Sequence, residues 1–192
     1  MGALIAVEFV TFDGVMQGFH NPDERDGFRH SGWGEEFQDP TQVEKATKAL
    51  PATSTYLFGR RTYDEMARFW PFQPDENLMA VHLNRSPKYV VTHRADQLTW
   101  SNARRLEGDL VDGVTRLKAE SNDNIAVLGS GNVVRQLLAA DLVDGFHLYL
   151  HPLVLGSGHP LFPRNDRPLR LRLDDVARTP TGVVELSYTT LR

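Results

Sequence analysis

The chain has no cysteine among its 192 residues. This absence excludes disulfide bonds, thiolate metal sites and cysteine nucleophiles. No apolar run is long enough to span a membrane, and the short N-terminal run 4–10 contains Glu8 and lacks the basic start of a signal peptide. A net charge of -4 gives no sign of the positively charged surface that nucleic-acid-binding proteins have. We therefore expect a cytoplasmic protein that binds neither membranes nor nucleic acid.

Several catalytic motifs are also missing. The sequence contains no Walker A motif and no Gly-x-Ser-x-Gly nucleophile elbow, so a P-loop nucleotidase and a serine hydrolase of that type are not expected. Its carboxylates form no metal-ligand pattern. The sequence predicts no metal site.

The apolar residues, 41% of the chain, suffice for one well-cored domain over residues 1–192. Their spacing predicts strands at 3–12, 55–59, 88–92, 125–128 and 146–155, the last interrupted by Pro152, and helices at 41–50, 60–69, 110–121 and from about 133 to 142. Two further strands, 169–173 and 183–191, are expected to pair antiparallel. This order predicts an α/β fold whose central sheet is mostly parallel, with antiparallel C-terminal strands.

A long irregular segment, residues 14–40, follows the first strand. Segments of this length in compact domains are more often functional lids than connectors. Its aromatic residues Phe28, Trp33 and Phe37 are candidates for the wall of a binding site. The alternative is that they pack the segment onto the core.

Polar residues or glycines follow three of the predicted strands, at 59–62, 92–94 and 129–132. Ligands of open α/β sheets bind outside the carboxyl ends of the strands. Arg60, Arg61 and Arg94 are therefore candidates for charge-assisted hydrogen bonds to phosphate, and the amide of Thr62 would be free in a first helical turn. The alternative is that these arginines are solvated surface charges.

The turn at Gly129-Ser130-Gly131 joins a buried strand to an amphipathic helix. Such a turn aims backbone N–H groups and the positive end of the helix dipole at an anion above the strand. The alternative is a purely structural turn. The standard dinucleotide fingerprint is absent, because Val134 stands where that motif has Gly or Ala and no acid follows at the ribose-binding spacing.

Two titratable residues are candidates for the chemistry. Asp13 follows the first strand and would hold a polar substrate, or else cap an Asx turn. His151 precedes Pro152 and would face a bulge that opens toward a ligand, or else be a satisfied, half-buried histidine.

Several segments, in order along the chain, resemble the dihydrofolate reductase-like superfamily in its riboflavin-pathway reductase branch. Residues 9–14 are similar to its first strand and Ser-Leu-Asp-Gly turn, and 57–63 to its strand followed by Gly-Arg-x-Thr-Trp/Tyr. Residues 129–131, 137–144 and 148–156 resemble its last cofactor turn, the helix and the next strand. The resemblance implies a three-layer α/β/α fold, a stand-alone bacterial reductase and, from the β-rich tail, a homodimer.

The resemblance also implies an NADPH site. Along the cofactor phosphates it places Gly59, Arg60, Arg61 and Thr62; near the 2′-phosphate Thr92, His93 and Arg94; and at the pyrophosphate Gly129, Ser130, Gly131, Asn132 and Val133. Around the substrate it places Val10, Asp13, Gln17, Trp33 and Tyr63, with Asp13 and His151 as the catalytic candidates.

The expected function is hydride transfer from NADPH to a C=N or C=O carbon of a small heterocyclic or phosphorylated substrate. The glutamate that the riboflavin branch has before its double-glycine turn is replaced by Leu128, so the resemblance does not name the substrate. One alternative is an NADP(H)-binding sensor or antifolate-sequestering module without turnover. A third hypothesis is a flavin reductase or F420-type enzyme.

Overall fold

The computed structural model describes residues 1–20, 27–39, 52–162 and 168–192. The strands in these ranges are β1 Leu4–Thr11, β2 Thr53–Gly59, β3 Lys88–Val91, β4 Ala103–Arg105, β5 Asn124–Val127, β6 Gly145–His151, β7 Arg170–Arg178 and β8 Val184–Leu191. The α-helices are α1 Arg60–Phe69, α2 Leu78–Arg85, α3 Leu110–Glu120 and α4 Gly131–Ala139. Short 3-10 turns cover Glu35–Phe37 and Trp70–Phe72.

The eight strands follow the sheet order β4-β3-β2-β5-β1-β6-β8-β7. Pairs β4–β3, β3–β2, β2–β5 and β5–β1 are parallel. Pairs β6–β8 and β8–β7 are antiparallel. The α/β fold class is therefore confirmed, including the antiparallel C-terminal strands.

Most predicted elements lie where the periodicity put them, and the helix predicted at 60–69 has these bounds. The strand predicted at 146–155 instead ends at His151, because Pro152 has no N–H to donate to a ladder. Helix α2 and strand β4 were not predicted; Asn77, whose side chain accepts from the amide of Ala80, was the available signal for α2. The helix predicted at 41–50 lies outside the described residues.

Two compact units make up the described chain. The first contains residues 1–6 and 52–144; residues such as Leu57, Phe58 and Val127 in its core are fully buried. The second contains 7–39, 145–162 and 168–192, with Phe146 and Leu161 in its core. No helix within the described ranges is long and apolar enough to cross a membrane.

Lys88 is an unusual core residue of the first unit, since its side chain is fully buried. Its Nζ donates to the carbonyl oxygens of Leu83 and Ser86, at 2.5 and 2.7 Å, and lies 4.6 Å from the centroid of the Trp100 ring. The ammonium thus binds carbonyls at the C-terminal end of α2, where the helix dipole favours a cation. Burial nevertheless lowers the pKa of Lys88 to about 8.

Two turns meet at the carboxyl ends of β2 and β5. The amide of Gly59 donates to the carbonyl of Gly129 at 3.0 Å. A Cβ at Gly59 would clash with Ser130 Oγ and lie 3.1 Å from Ser130 N. Glycine at position 59 therefore permits this approach of the two turns without a shift of Ser130.

We expect the stability of the protein to rise with pH because of Lys88. The pKa of this lysine is about 8 when folded and 10.5 without the burial, so the unfolded chain binds more protons across that interval and folding strengthens as pH rises. Urea unfolding at pH 7.5 and 9.5 should show an increase on the order of 1 kcal/mol in the free energy of unfolding. The increase should be missing in Lys88→Met; an equal increase in that variant would assign the titration to other groups.

We expect Gly59→Ala to destabilise the protein by about 1–3 kcal/mol through overpacking. Backbone strain is not the cause, because Gly59 has φ -70° and ψ 154°, which alanine adopts readily. Ser130→Ala should be nearly neutral, since the Ser130 side chain makes no capping hydrogen bond. Urea unfolding should show the double variant recovering part of the loss, because the clashing Oγ is gone. A double variant no more stable than Gly59→Ala would place the cost elsewhere.

Candidate functional site

Three polar strand ends of the first unit lie at one edge of the sheet. Strands β3, β2 and β5 are neighbours and parallel, with Gly59 opposite Val91 and Leu57 opposite Val127. Since parallel strands end on the same side, the segments 59–62, 92–94 and 129–133 come together there. The sequence predicted these segments as candidates, and the pairing explains how they form one site.

The turns after β2 and β5 present two helix N-termini to this edge. Helix α1 starts after Gly59 and helix α4 after Ser130, and neither has a side-chain cap or an acidic residue in its first turn. Their first amides are therefore available to a ligand. The Gly129–Ser130 peptide is cis, and Gly129 has φ +89°.

The two turns also form a close-fitting cradle. A Cβ at Gly129 would lie 3.2 Å from Thr62 Oγ1, and one at Gly59 would meet Ser130. The missing Cβ atoms let the two turns approach each other, and backbone amides at the positive ends of two helices suit an anion. This cradle is a candidate site for the pyrophosphate of a dinucleotide. Asn132 is exposed and Val133 is buried in the first turn of α4.

Arg60, the first residue of α1, is held by two carboxylates. Its Nε donates to Asp64 Oδ1 at 2.8 Å, and its Nη2 donates to Asp96. The side chain is only 15% exposed, and Nη1 is buried without a hydrogen-bond partner. A buried donor with no partner costs free energy, which an anion reaching it would recover.

Arg94 completes a group of four alternating charges. Its Nη1 lies 3.4 Å from Asp64 Oδ2, and its backbone amide donates to Thr92 Oγ1 at 3.1 Å. The hydrogen bond from Arg60 holds the pKa of Asp96 below its usual range, against slight desolvation. We call Arg60, Asp64, Arg94 and Asp96 the charge cluster. They line a cavity of about 370 Å³, together with Tyr63, Ala67, Arg68, Gln97 and Thr99.

The other predicted cofactor residues of this unit are more exposed. Arg61 is half exposed, and its Nε lies 3.4 Å from Glu65 Oε1 on the same helix. His93 is exposed on the segment after β3.

Tyr63, predicted at the substrate, is only 2% exposed, and its hydroxyl accepts from the amide of Trp100 at 2.9 Å. Its substrate contact stays a prediction.

In the second unit, Asp13 joins two loops. Its carboxylate accepts from the amide of Gly156 at 2.8 Å, from that of Leu155 at 3.3 Å and from Thr11 Oγ1 at 2.5 Å. Desolvation opposes ionisation, but these hydrogen bonds outweigh it and lower the pKa of Asp13. Asp13 is therefore ionised at neutral pH and remains exposed to solvent.

His151 is buried in an aromatic cluster, with 1% of its surface exposed. Its Nδ1 donates to the carbonyl of Tyr149 at 2.8 Å and lies 3.2 Å from that of Val10. The rings of Phe19, Trp33 and Phe37 lie with their centroids 5.0–5.4 Å away. Burial lowers the pKa of His151 although the carbonyl contacts raise it. The geometry is that of the satisfied histidine, and a role as proton source stays a prediction.

The described part of the irregular segment packs onto this cluster. Trp33 is 7% exposed, and its Nε1 donates to the carbonyl of Gln17 at 2.8 Å. The Gln17 side chain accepts from the amide of His159 at 3.1 Å. The ring of Phe28 lies beside Gly18 and Gly158. These contacts favour the packing interpretation of the aromatic residues over an open wall.

Sequence reasoning missed both acids of the charge cluster. Asp64 stands four residues after Arg60, a helical spacing that signals an ion pair. Asp96 is 36 residues from Arg60, and nothing in the sequence signals that contact. Within the described ranges, no group of three or more His, Asp or Glu side chains is arranged to hold a metal ion.

Comparisons with known proteins find relatives in sequence and in fold. The chain is 28% identical over 144 residues, 74% of its length, to the uncharacterized protein YyaP of Bacillus subtilis (strain 168), of which the match covers 77%. Its fold is similar to that of a pyrimidine reductase-like protein from Corynebacterium diphtheriae, with a TM-score of 0.65, 15% identity and coverage of 100% of this chain and 92% of the other.

The fold is also similar to that of dihydrofolate reductase from Enterococcus faecalis, solved as a complex with NADP(H). Here the TM-score is 0.59 at 14% identity, over 100% of this chain and 98% of the other. At such identities the likeness concerns the fold alone. The model of the RibD C-terminal domain, however, matches residues 3–185. The chain therefore belongs to the RibD C-terminal domain family and has a dihydrofolate reductase-like fold.

Proposed function

We propose that the protein is an NADPH-dependent reductase of a small heterocyclic or phosphorylated substrate. The observation that carries the proposal is the sheet edge where two uncapped helix N-termini meet beside Arg60. Family membership supports a reductase. The NADP(H) held by the E. faecalis relative supports the choice of cofactor.

The residues of the first unit fit the phosphates of this cofactor. Amides of Gly129–Asn132, with those of Arg60–Thr62, would bind the pyrophosphate, because neither helix has a side-chain cap or an acid in its first turn; the amides of Gly59 and Val133 already donate to the carbonyls of Gly129 and Ser130. Arg60 and Arg94 would bind the 2′-phosphate, with Thr92 and His93 beside it. The buried, unpaired Nη1 of Arg60 is a donor ready for a phosphate oxygen.

Bound NADPH supplies a hydride from C4 of its nicotinamide, so the protein needs to align the acceptor and provide a proton. We propose that Asp13 orients a polar group of the substrate as an ionised carboxylate, since its pKa is lowered. Of the two proton sources, His151 and water, the burial of His151 and its lowered pKa favour water. His151 then acts as a positioning residue that holds the carbonyl of Val10.

We expect purified protein to bind NADPH, and Arg60→Ala to weaken that binding about 10- to 100-fold, as expected for loss of a charge-assisted hydrogen bond. NADH lacks the 2′-phosphate, so its dissociation constant should change much less. Fluorescence titration of both dinucleotides measures the two effects, and Arg61→Ala and Arg94→Ala should show smaller losses in the same sense. Arg116 is an exposed arginine on α3, so Arg116→Ala removes the same charge as Arg60→Ala and serves as the control.

Turnover is tested separately by loss of nicotinamide absorbance with 5-amino-6-(5-phosphoribosylamino)uracil, pterins and imines. NADPH binding without oxidation of the cofactor across this panel would favour the sensor or sequestering module. Tighter binding of FMN or F420 than of NADPH would favour the third hypothesis. Equal losses for NADPH and NADH in Arg60→Ala would refute the 2′-phosphate assignment.

We further propose that the protein forms a homodimer through β7. Among the described strands, β7 ends the sheet, and its Leu173 and Val176 are 50% and 55% exposed. Such an edge invites pairing with another strand. Its arginines stand at 170, 172 and 178 and its acids at 174 and 175, so two β7 strands that pair antiparallel with Arg172 opposite Asp174 bring opposite charges together.

We expect sedimentation equilibrium to give twice the chain mass of 21.7 kDa, and Val176→Asp to shift the protein to monomers because a carboxylate replaces an apolar contact. Val154→Asp, which changes an exposed valine outside β7, is the matched control. A monomeric wild type, or a dimer unchanged by Val176→Asp, would contradict this interface.

A further inference from the structure

The charge cluster contains two arginines and two aspartates, so its net charge is zero. Arg60 donates to both Asp64 and Asp96, and Asp64 also faces Arg94. A phosphate that approaches Arg60 therefore meets a guanidinium whose Nη2 is already bound by a carboxylate. Its buried Nη1 is unpaired.

We propose that Asp96 is a specificity-determining residue that competes with the cofactor 2′-phosphate for Arg60 and so lowers the preference of the protein for NADPH over NADH. This inference rests on the proposed function. The phosphate displaces the exposed Asp96 carboxylate from Nη2 of Arg60. A ribose 2′-hydroxyl carries no charge, so NADH does not have to displace Asp96.

Asp96, rather than Asp64, is the acid that a phosphate can displace from Arg60. Its side chain is 56% exposed, whereas that of Asp64 is 28% exposed. Asp96 lies outside the helices and strands, while Asp64 is fixed on α1 one turn after Arg60 and also contacts Arg94. An exposed ion pair on a loop is weak and screened by salt, so a doubly charged phosphate can replace it.

The competition predicts the direction in which the affinity for NADPH changes when the Asp96 charge is removed. Removing the Asp96 charge changes the net charge of the cluster from zero to +1, which favours a 2′-phosphate and leaves a 2′-hydroxyl nearly unaffected. We expect Asp96→Asn to lower the dissociation constant for NADPH about five- to tenfold at low salt, a range set by single surface charges. The constant for NADH should stay within about twofold. Asp96→Ala separates charge removal from any new hydrogen bond of the asparagine amide.

The experiment is calorimetric titration of wild type, Asp96→Asn, Asp96→Ala and Asp75→Asn with NADPH and NADH, at about 50 and 500 mM NaCl. Asp75→Asn, at an exposed acid outside the cavity lining, is the charge-matched control and should bind like wild type. A gain for NADPH in both Asp96 variants that shrinks at high salt supports the competition. Circular dichroism checks that the variants fold.

Adenosine 2′-monophosphate and adenosine form a second pair of probes, which do not require the rest of the cofactor site. If wild type binds both dinucleotides but the Asp96 variants keep the same NADPH/NADH ratio, the competition is overturned and the proposed function stands. The same holds if both cofactors gain equally. If no form of the protein binds either dinucleotide, the proposed function fails, and adenosine 2′-monophosphate then tests the competition by itself. A higher affinity of the Asp96 variants for adenosine 2′-monophosphate supports the competition, and an unchanged affinity overturns it.

Discussion

The parallel pairing of β3, β2 and β5 is the constraint on which the candidate cofactor site depends. Parallel strands end at the same sheet edge, so the turns after β2 and β5 must lie side by side. That closeness is possible because Gly59 has no Cβ to meet Ser130. The helices that follow therefore begin next to each other, with free amides at both N-termini. One packing constraint thus brings two helix N-termini, the proposed phosphate site, to the same sheet edge.

Electrostatics then refines what this edge can bind. Two helix N-termini attract an anion of either cofactor, because the pyrophosphate is common to NADH and NADPH. Discrimination has to come from the charge cluster, where Arg60 is shared between Asp64 and Asp96. Under the proposed function, affinity for the dinucleotide and selectivity for its 2′-phosphate would therefore reside in different residues. The two can be altered independently.

The second unit holds an ionised carboxylate, Asp13, and a histidine, His151, in fixed positions. Asp13 keeps its charge because backbone amides of Leu155 and Gly156 point at it. Burial among aromatic rings lowers the pKa of His151, and the carbonyl of Tyr149 orients the ring by accepting from its Nδ1. The two titratable residues thus differ in environment, because Asp13 is exposed to solvent and His151 is enclosed by the core.

Sequence by itself determined much of this protein, because local rules act on neighbouring residues. Hydrophobic spacing located helix 60–69, glycine located the turn at 129–131, and the resemblance of 57–63 indicated the family that the match over 3–185 shows. Only the tertiary structure decided that Asp96 meets Arg60 and that His151 is enclosed by Phe19, Trp33 and Phe37. These contacts join residues distant in sequence, and charge pairing and burial depend on which segments the fold brings together, which no local pattern encodes.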